Sequence, residues 1–300
     1  MYNGIINIYK EKGFTSHDVV AKMRGILKQK KIGHTGTLDP DAVGVLPVCL
    51  GSATRLCDML TDRDKEYRAV MRLGVETDTQ DMSGTILARQ ELKAGKVEIE
   101  EAVFSFLGEY AQIPPMYSAL KVNGKRLYEL ARQGREVERE PRNVTIHEIE
   151  ILDMHLPDIS LRVLCSKGTY IRTLCHDIGK MLGCGGTMVS LERTKSGHFL
   201  LDSAITLSDL ERLRDEGKIA DVLIPVDKMF EELSAVHVPE PFIKPVQNGN
   251  SFPLNHILER RLFGNGEEVK VYNQEGRFFG IYRFEKAEGR FKPVKMFLES

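Results

Sequence analysis

The sequence predicts an α+β protein with a smaller β-rich unit at its C-terminal end. Residues 65–73 alternate apolar and polar side chains with the period of a half-buried strand. Residues 144–154 and 159–165 read as two strands joined through Leu156-Pro157-Asp158, an antiparallel pair, in a chain that elsewhere carries amphipathic helices. Beyond Val236 the texture changes to short β-like runs separated by glycine turns, which sets residues 237–300 apart from 1–236.

Composition bounds what the chain does. Its 300 residues, 42% hydrophobic and 28% charged, are long enough for one large core or two domains. The N-terminus lacks a basic flank followed by an apolar run, and no segment approaches the roughly 20 apolar residues of a membrane span, so a cytoplasmic protein is expected. Five cysteines (Cys49, Cys57, Cys165, Cys175, Cys184) are widely spaced and form no zinc pattern, so reduced structural thiols and no metal are expected. Neither a Walker A loop nor a Rossmann fingerprint is present, and no cofactor is expected. The net charge of −1 does not announce a nucleic-acid partner, so any such surface is local.

The elements follow in order. Ile5-Ile6-Asn7-Ile8 reads as a strand entering a turn at Gly13, and a helix from Ser16 carries Val19, Val20, Met23 and Ile26 on one side. Residues 33–55, GHTGTLDPDAVGVLPVCLGSATR, combine a glycine-punctuated loop, an Asp-Pro step, an apolar strand over 43–50 and a helix start at Gly51-Ser52. Pro40 biases Asp39 toward an extended backbone, so its carboxylate is presented rather than wrapped into a helix, although a lone Asp-Pro step is most often a simple turn. On the strand 65–73, Tyr67, Ala69, Met71 and Leu73 share the inner face. A turn-rich stretch at 76–84 precedes a helix over 98–107 with Ala102, Val103 and Phe106 inside.

An Asn123-Gly124 turn precedes a short helix over 126–133 that Gly134 stops. Residues 119–142 hold seven Lys/Arg against four Glu, a modest basic patch or a solvated face. Ile171, Leu174, Ile178 and Met181 recur at helical spacing, predicting a helix from near Thr169 to Gly183. Tyr170 and Arg172 are two apart and share a face only where the chain is still extended, which places both at a strand-to-helix junction. Residues 187–197 read as a strand with Val189, Leu191 and Arg193, and Ser208-Asp209-Leu210-Glu211 reads as a capping box opening the last helix.

The run G-H-T-G-T-L-D-P-x-A-x-G-x-L-P-x-C-x-G around Asp39 resembles the catalytic motif of the TruB family, the tRNA pseudouridine-55 synthases. Other segments are similar to the family: D-K-E-Y-R around Tyr67, the block 112–134, S-K-G-T-Y-I-R-T-L around Tyr170 and Arg172, and L-x-R-x-x-x-G at Leu191. The opening motif departs from the family pattern at Tyr9 and Glu11 while Lys10, Gly13, Thr15 and Ser16 match. The resemblance implies the pseudouridine-synthase fold, a central mixed, mainly antiparallel sheet flanked by helices, followed by a PUA-like C-terminal domain. It also implies a mobile thumb-like RNA-binding segment over 119–142 and a tRNA partner met at its T arm. The start of the chain only a few residues before its first strand sets an expectation of direct RNA recognition, and a monomer is expected.

Roles follow from the same resemblance. Asp39 is the implied catalytic carboxylate, with attack at C1′, addition at C6 and removal of a C2′ proton all open. Arg172 is the implied partner of that carboxylate, through a charge-assisted contact. Tyr67 would lie against the flipped uracil, Tyr170 would shape the floor, and Leu191 would cover the base. His34 would fill the gap left by a flipped nucleotide, and Arg55, Lys121, Arg132 and Arg142 are expected to touch RNA. Two other classes stay open: a non-catalytic tRNA-binding or folding module, and a carboxylate-dependent glycoside hydrolase, for which no second carboxyl is evident beyond Asp41.

Overall fold

The computed structural model describes all residues except Asn123, Glu299 and Ser300, together with the side chain of Lys121. A nine-stranded sheet forms the body. Its main path runs Gly4–Lys10, Val43–Leu50, Gly186–Ser196, Lys65–Leu73, Asp158–Cys165, Arg142–His155 and Gly108–Gln112. The short strands Ile32–His34 and Phe199–Leu200 add to Val43–Leu50 and Gly186–Ser196. One seam is parallel: Glu192 pairs with Val43 and Arg193 with Gly44, while the other neighbours are antiparallel. Gly44 makes this seam possible, because its φ is +104° and a Cβ there would lie 2.3 Å from the Arg193 carbonyl oxygen.

Helices cover both faces because the strands bury apolar residues on both. The helix Ser16–Leu27, capped by Thr15 and Asp18 acting reciprocally, packs Val19, Val20, Met23 and Ile26 on Ile6, Ile8, Leu46 and Val48. On the other face Tyr67, Ala69, Met71, Leu161, Val163 and Leu191 meet the helices Lys96–Phe104 and Ile171–Met181. The helix Ile171–Met181 can approach its following strand because Gly179 and Gly186 face each other; a Cβ on Gly179 would stand 2.2 Å from the Gly186 nitrogen. The inward set expected for the strand Lys65–Leu73 is buried as the alternation predicts.

Several local expectations change. The stretch 76–84 is not all turn: Val75–Thr77 pairs with Ile86–Arg89 around it as a hairpin. The capping box before Leu207–Asp215 uses Thr206 and Asp209 rather than Ser208, since Thr206 Oγ1 accepts from the Asp209 amide at 3.0 Å. That helix is not the last, because Ile243–Gln247 follows. The helix Ile171–Met181 is shorter at both ends than the spacing predicts, with Tyr170 extended at its N-cap. The Asn123-Gly124 turn falls partly outside the described residues, and the helix beyond it is confined to Leu127–Ala131.

The C-terminal unit is a five-stranded sheet ordered Ser234–Val238, Glu268–Asn273, Phe278–Glu285, Arg290–Met296 and Phe252–Pro253. Its first strand crosses the division expected at residue 236, because parallel pairing with Glu268–Asn273 commits it to the small sheet. Ile281 and Phe297 leave the small core and join Val45, Leu56, Phe199 and Phe230, so the two sheets share an apolar contact.

Candidate active site

The Asp39 loop is fixed by its backbone. Leu38 N donates to Ser16 Oγ at 3.0 Å, and the Pro40 carbonyl accepts from Gly13 N at 2.9 Å and from Lys10 Nζ at 3.1 Å. The Ala42 amide closes a turn on the Asp39 carbonyl at 3.1 Å. The side chain left free by these bonds meets Arg172, with Nε 2.9 Å from Oδ2 and Nη2 3.2 Å from Oδ1. This is the bidentate fork expected of a guanidinium and a carboxylate. Arg172 is 4% exposed while the Asp39 side chain keeps 38%, so the cation is packed behind an anion that opens to solvent.

The guanidinium is also held by carbonyls, donating from Nη1 to Thr79 at 3.0 Å and from Nη2 to Tyr117 at 2.8 Å. A second carboxylate, Asp81, lies 3.9 Å from Nε. A cation in the first turn of a helix opposes the helix dipole, and two carboxylates and two carbonyls offset that conflict here. Burial pushes the Asp39 carboxyl above the ordinary aspartate range; Arg172 pulls it down and Asp81 pushes it up again. The absence of a second carboxyl near Asp39 is thereby corrected. Asp41 is 63% exposed and turns to Lys12, whereas Asp81 shares Arg172 with Asp39.

Tyr67 and Leu191, each 8% exposed, come from the adjacent strands Lys65–Leu73 and Gly186–Ser196. Tyr67 has a raised pKa because it is buried, an effect that Arg193 counters. Tyr170 is clamped through its backbone by Gln112, whose Oε1 accepts from Tyr170 N at 2.8 Å and whose Nε2 donates to Tyr170 O at 3.0 Å. Burial raises its pKa as well, and the charges of Arg172, Arg142 and Asp39 all act on the ring hydroxyl. Arg142 pairs across the sheet with Gln112, the residue that clamps Tyr170, and its side chain is exposed.

His34 begins the loop, its Nδ1 accepting from Gly36 N at 3.3 Å and its ring edge-on to His17 at 5.1 Å. Burial lowers its pKa, and because Nδ1 accepts from Gly36 the ring proton belongs on Nε2. Arg132 is exposed, with its guanidinium 5.4 Å from the centre of the Tyr128 ring. Arg55 is elsewhere: it donates to the Met296 carbonyl at 2.7 Å and ties the body to the C-terminal sheet. The side chain of Lys121 lies outside the described residues.

Sequence reasoning missed Asp81 and assigned no role to Arg193 or Lys10. Asp81 sits in a polar loop with no periodicity to flag it. Arg193 carries a legible signal, since it lies two residues beyond Leu191 on a strand and so shares its face. Among the described residues no three His, Cys, Asp or Glu gather to hold a metal ion, and no helix is long and apolar enough to cross a membrane.

Comparison with known proteins gives consistent matches. The chain fits the family model of the TruB family pseudouridylate synthase N-terminal domain over residues 24–171. Residues 172–231 fit the tRNA pseudouridylate synthase B C-terminal domain. The tRNA pseudouridine synthase B of Alkaliphilus oremlandii is 51% identical over 284 residues, covering 94% of each chain. That of Lachnoclostridium phytofermentans is 51% identical over 306 residues, covering 99% of this chain and 100% of the relative. Among solved structures, a Cbf5-Nop10-Gar1 complex aligns with a TM-score of 0.71 at 30% identity, covering 99% of this chain and 85% of that one. An H/ACA RNP bound to a substrate RNA containing 2'-deoxyuridine aligns at 0.70 and 28% identity, covering 98% and 85%.

Proposed function

We propose, for a chain that belongs to the TruB family of pseudouridylate synthases, that it isomerises uridine 55 in the T arm of tRNA, with Asp39 as the catalytic carboxylate. It is a tRNA pseudouridine synthase of the TruB type with the pseudouridine-synthase fold. The observation that carries the assignment to Asp39 is the bidentate pair with Arg172, which holds a carboxylate in one orientation while leaving it open to solvent.

The reaction breaks the N1–C1′ bond of uridine, turns the base and rejoins it through C5. Atoms and electrons balance within the nucleotide. A uridine stacked in RNA does not reach a recessed carboxylate, so the nucleotide leaves the stack and His34 takes part of the vacated space. Asp39 then acts on the sugar or the base, by attack at C1′, addition at C6 or removal of the C2′ proton. Arg172 keeps the carboxylate ionised against burial, and its rigid fork aims both oxygens. Leu191 covers the flipped base, Tyr170 forms the floor, and Tyr67 lies against the uracil where it handles the C5 proton.

The exposed arginines of the segment 119–142 and the small sheet that opens with Ser234–Val238 supply contacts to the tRNA backbone. Such contacts position the RNA without reading its bases. The deciding experiment incubates the protein with tRNA carrying C5-tritiated uridine and follows tritium released to water. Stoichiometric release, lost when uridine 55 is replaced by cytidine, is expected. No release from folded tRNA would refute the reading.

A further inference from the structure

Arg193 is 1% exposed, and among the described residues it forms no ion pair. Its Nε donates to the Val45 carbonyl at 2.7 Å, and its Nη2 has no hydrogen-bond partner. A buried guanidinium with a proton left unbonded is expensive, because desolvation is not repaid. The neighbouring buried lysines do not share this state. Lys10 donates to the carbonyls of Glu11, Phe14 and Pro40, and Lys65 donates to those of Thr61 and Arg63.

The position of Arg193 shows what the spare capacity faces. It stands directly across the antiparallel ladder from Tyr67, so the two side chains share a face. A Cβ on Gly36 would lie 3.6 Å from Arg193 Nη1, which puts the guanidinium against the loop that carries Asp39. Leu191 precedes it by two residues on the same strand face. The guanidinium and its spare Nη2 donor thus sit among the residues assigned to the flipped uracil.

We propose that Arg193 is a positioning residue that acts through Tyr67, its guanidinium orienting the phenol and stabilising the phenolate while the C5 proton is removed. The inference rests on the pseudouridine-forming reading given above. Protons balance as follows. The Tyr67 phenol gives its proton to N1, the nitrogen left anionic when the glycosidic bond breaks, and becomes a phenolate. After C5 bonds to the sugar, the C5–H bond breaks, its electron pair restores the C5–C6 double bond, and the proton returns to the Tyr67 oxygen. No outside acid or base is required. Burial alone makes a tyrosinate unfavourable at Tyr67, and Arg193 is the group that most opposes that effect.

The test compares single-turnover rates of wild type, Arg193→Gln, Arg193→Lys, Tyr67→Phe and the double variant Arg193→Gln/Tyr67→Phe, on tRNA bearing uridine or 5-deuterouridine at position 55. Arg193→Gln is expected to slow turnover about 100-fold, the usual consequence of losing one preorganised donor, with KM little changed. A primary deuterium isotope effect should appear as C5 deprotonation becomes limiting, and Arg193→Lys should recover part of the rate. In the Tyr67→Phe background, Arg193→Gln should add almost nothing. Independent, multiplicative losses with no isotope effect would overturn the proposal and leave Arg193 a structural residue. Should Arg193→Gln fail to fold, Arg193→Lys alone and in the Tyr67→Phe background carries the same criteria. Wild-type protein that releases no C5 label refutes the functional reading itself, a result distinct from loss of the Arg193 coupling.

Discussion

Asp39 and Arg172 are one electrostatic unit with unequal burial, and this inequality separates the consequences of losing either. Asp39→Asn keeps the volume and an oxygen acceptor, while Arg172 retains Asp81 and two carbonyls. The variant is expected to fold with a melting temperature close to wild type, bind tRNA and form no pseudouridine. Arg172→Met leaves two carboxylates without their cation and should lower stability by about 3 kcal/mol along with activity. Calorimetry beside a turnover assay checks both, and an active Asp39→Asn protein removes Asp39 from the mechanism. Lys10, fully buried under the Pro40 carbonyl, has its pKa lowered to about 8 by burial. Its folded-state value lies below the unfolded one, so the unfolded chain binds the extra proton between about pH 8 and 10.4 and stability rises with pH there. The stability of wild type relative to Lys10→Met should therefore improve from pH 8 to pH 10 in denaturant titrations; a flat difference would mean that Lys10 is not the group titrating.

At the scale of elements, the site is assembled where the helix Ile171–Met181 presses on the strand Gly186–Ser196. Arg172 rides on the first turn of that helix, so whatever spaces the helix also aims the guanidinium. Gly179→Ala places a methyl group against the backbone of Gly185 and Gly186, the nearest atom at 2.2 Å, and forces the helix outward. A loss of several kcal/mol is expected, together with a fall in turnover larger than the change in tRNA affinity. Wild-type turnover in this variant would mean that Arg172 tolerates helix displacement. The segment 119–142 differs in that Arg132 and Arg142 are exposed, and on the proposed reading they meet RNA through charge. Replacing Arg132 and Arg142 by alanine should raise KM and make log affinity less steep in log salt, by about one unit for each arginine that neutralises a phosphate. An unchanged slope identifies the segment as a solvated face.

Across the whole molecule, the small sheet is joined to the body by apolar packing rather than by a tether alone. Phe297 stacks with Phe278 at 5.6 Å and meets Phe230 at 5.9 Å, while Arg55 holds the adjacent Met296 carbonyl. Shared burial couples the two units, so heating should give one cooperative transition. Phe297→Ala should lower that transition as a whole, at a cost of about 3 kcal/mol. A separate early transition of the C-terminal sheet in calorimetry would show that the contact is too weak to couple them.

The sequence by itself determined the family and most strands and helices of the body, because motif residues and periodicity are local signals, and the family resemblance implied the pairing of Asp39 with Arg172. Alternation along 65–73, the Asp-Pro step and the motif residues are legible without knowing what each touches. The sequence also placed Tyr170 and Arg172 together on extended chain at a strand-to-helix junction; the structure keeps Tyr170 extended at the N-cap but puts Arg172 in the first helical turn. Only the tertiary structure decided that Asp81 is the second carboxylate on Arg172, that Arg55 serves the C-terminal sheet, and that Arg193 stands across from Tyr67 with a spare donor. Each of these joins residues far apart in the chain, and periodicity carries no information about which distant element supplies a neighbour. The parallel seam at Gly44 is of the same kind. A glycine in this motif signals a close approach without saying to what; the structure puts the Arg193 backbone against it, and that contact brings the two halves of the site together.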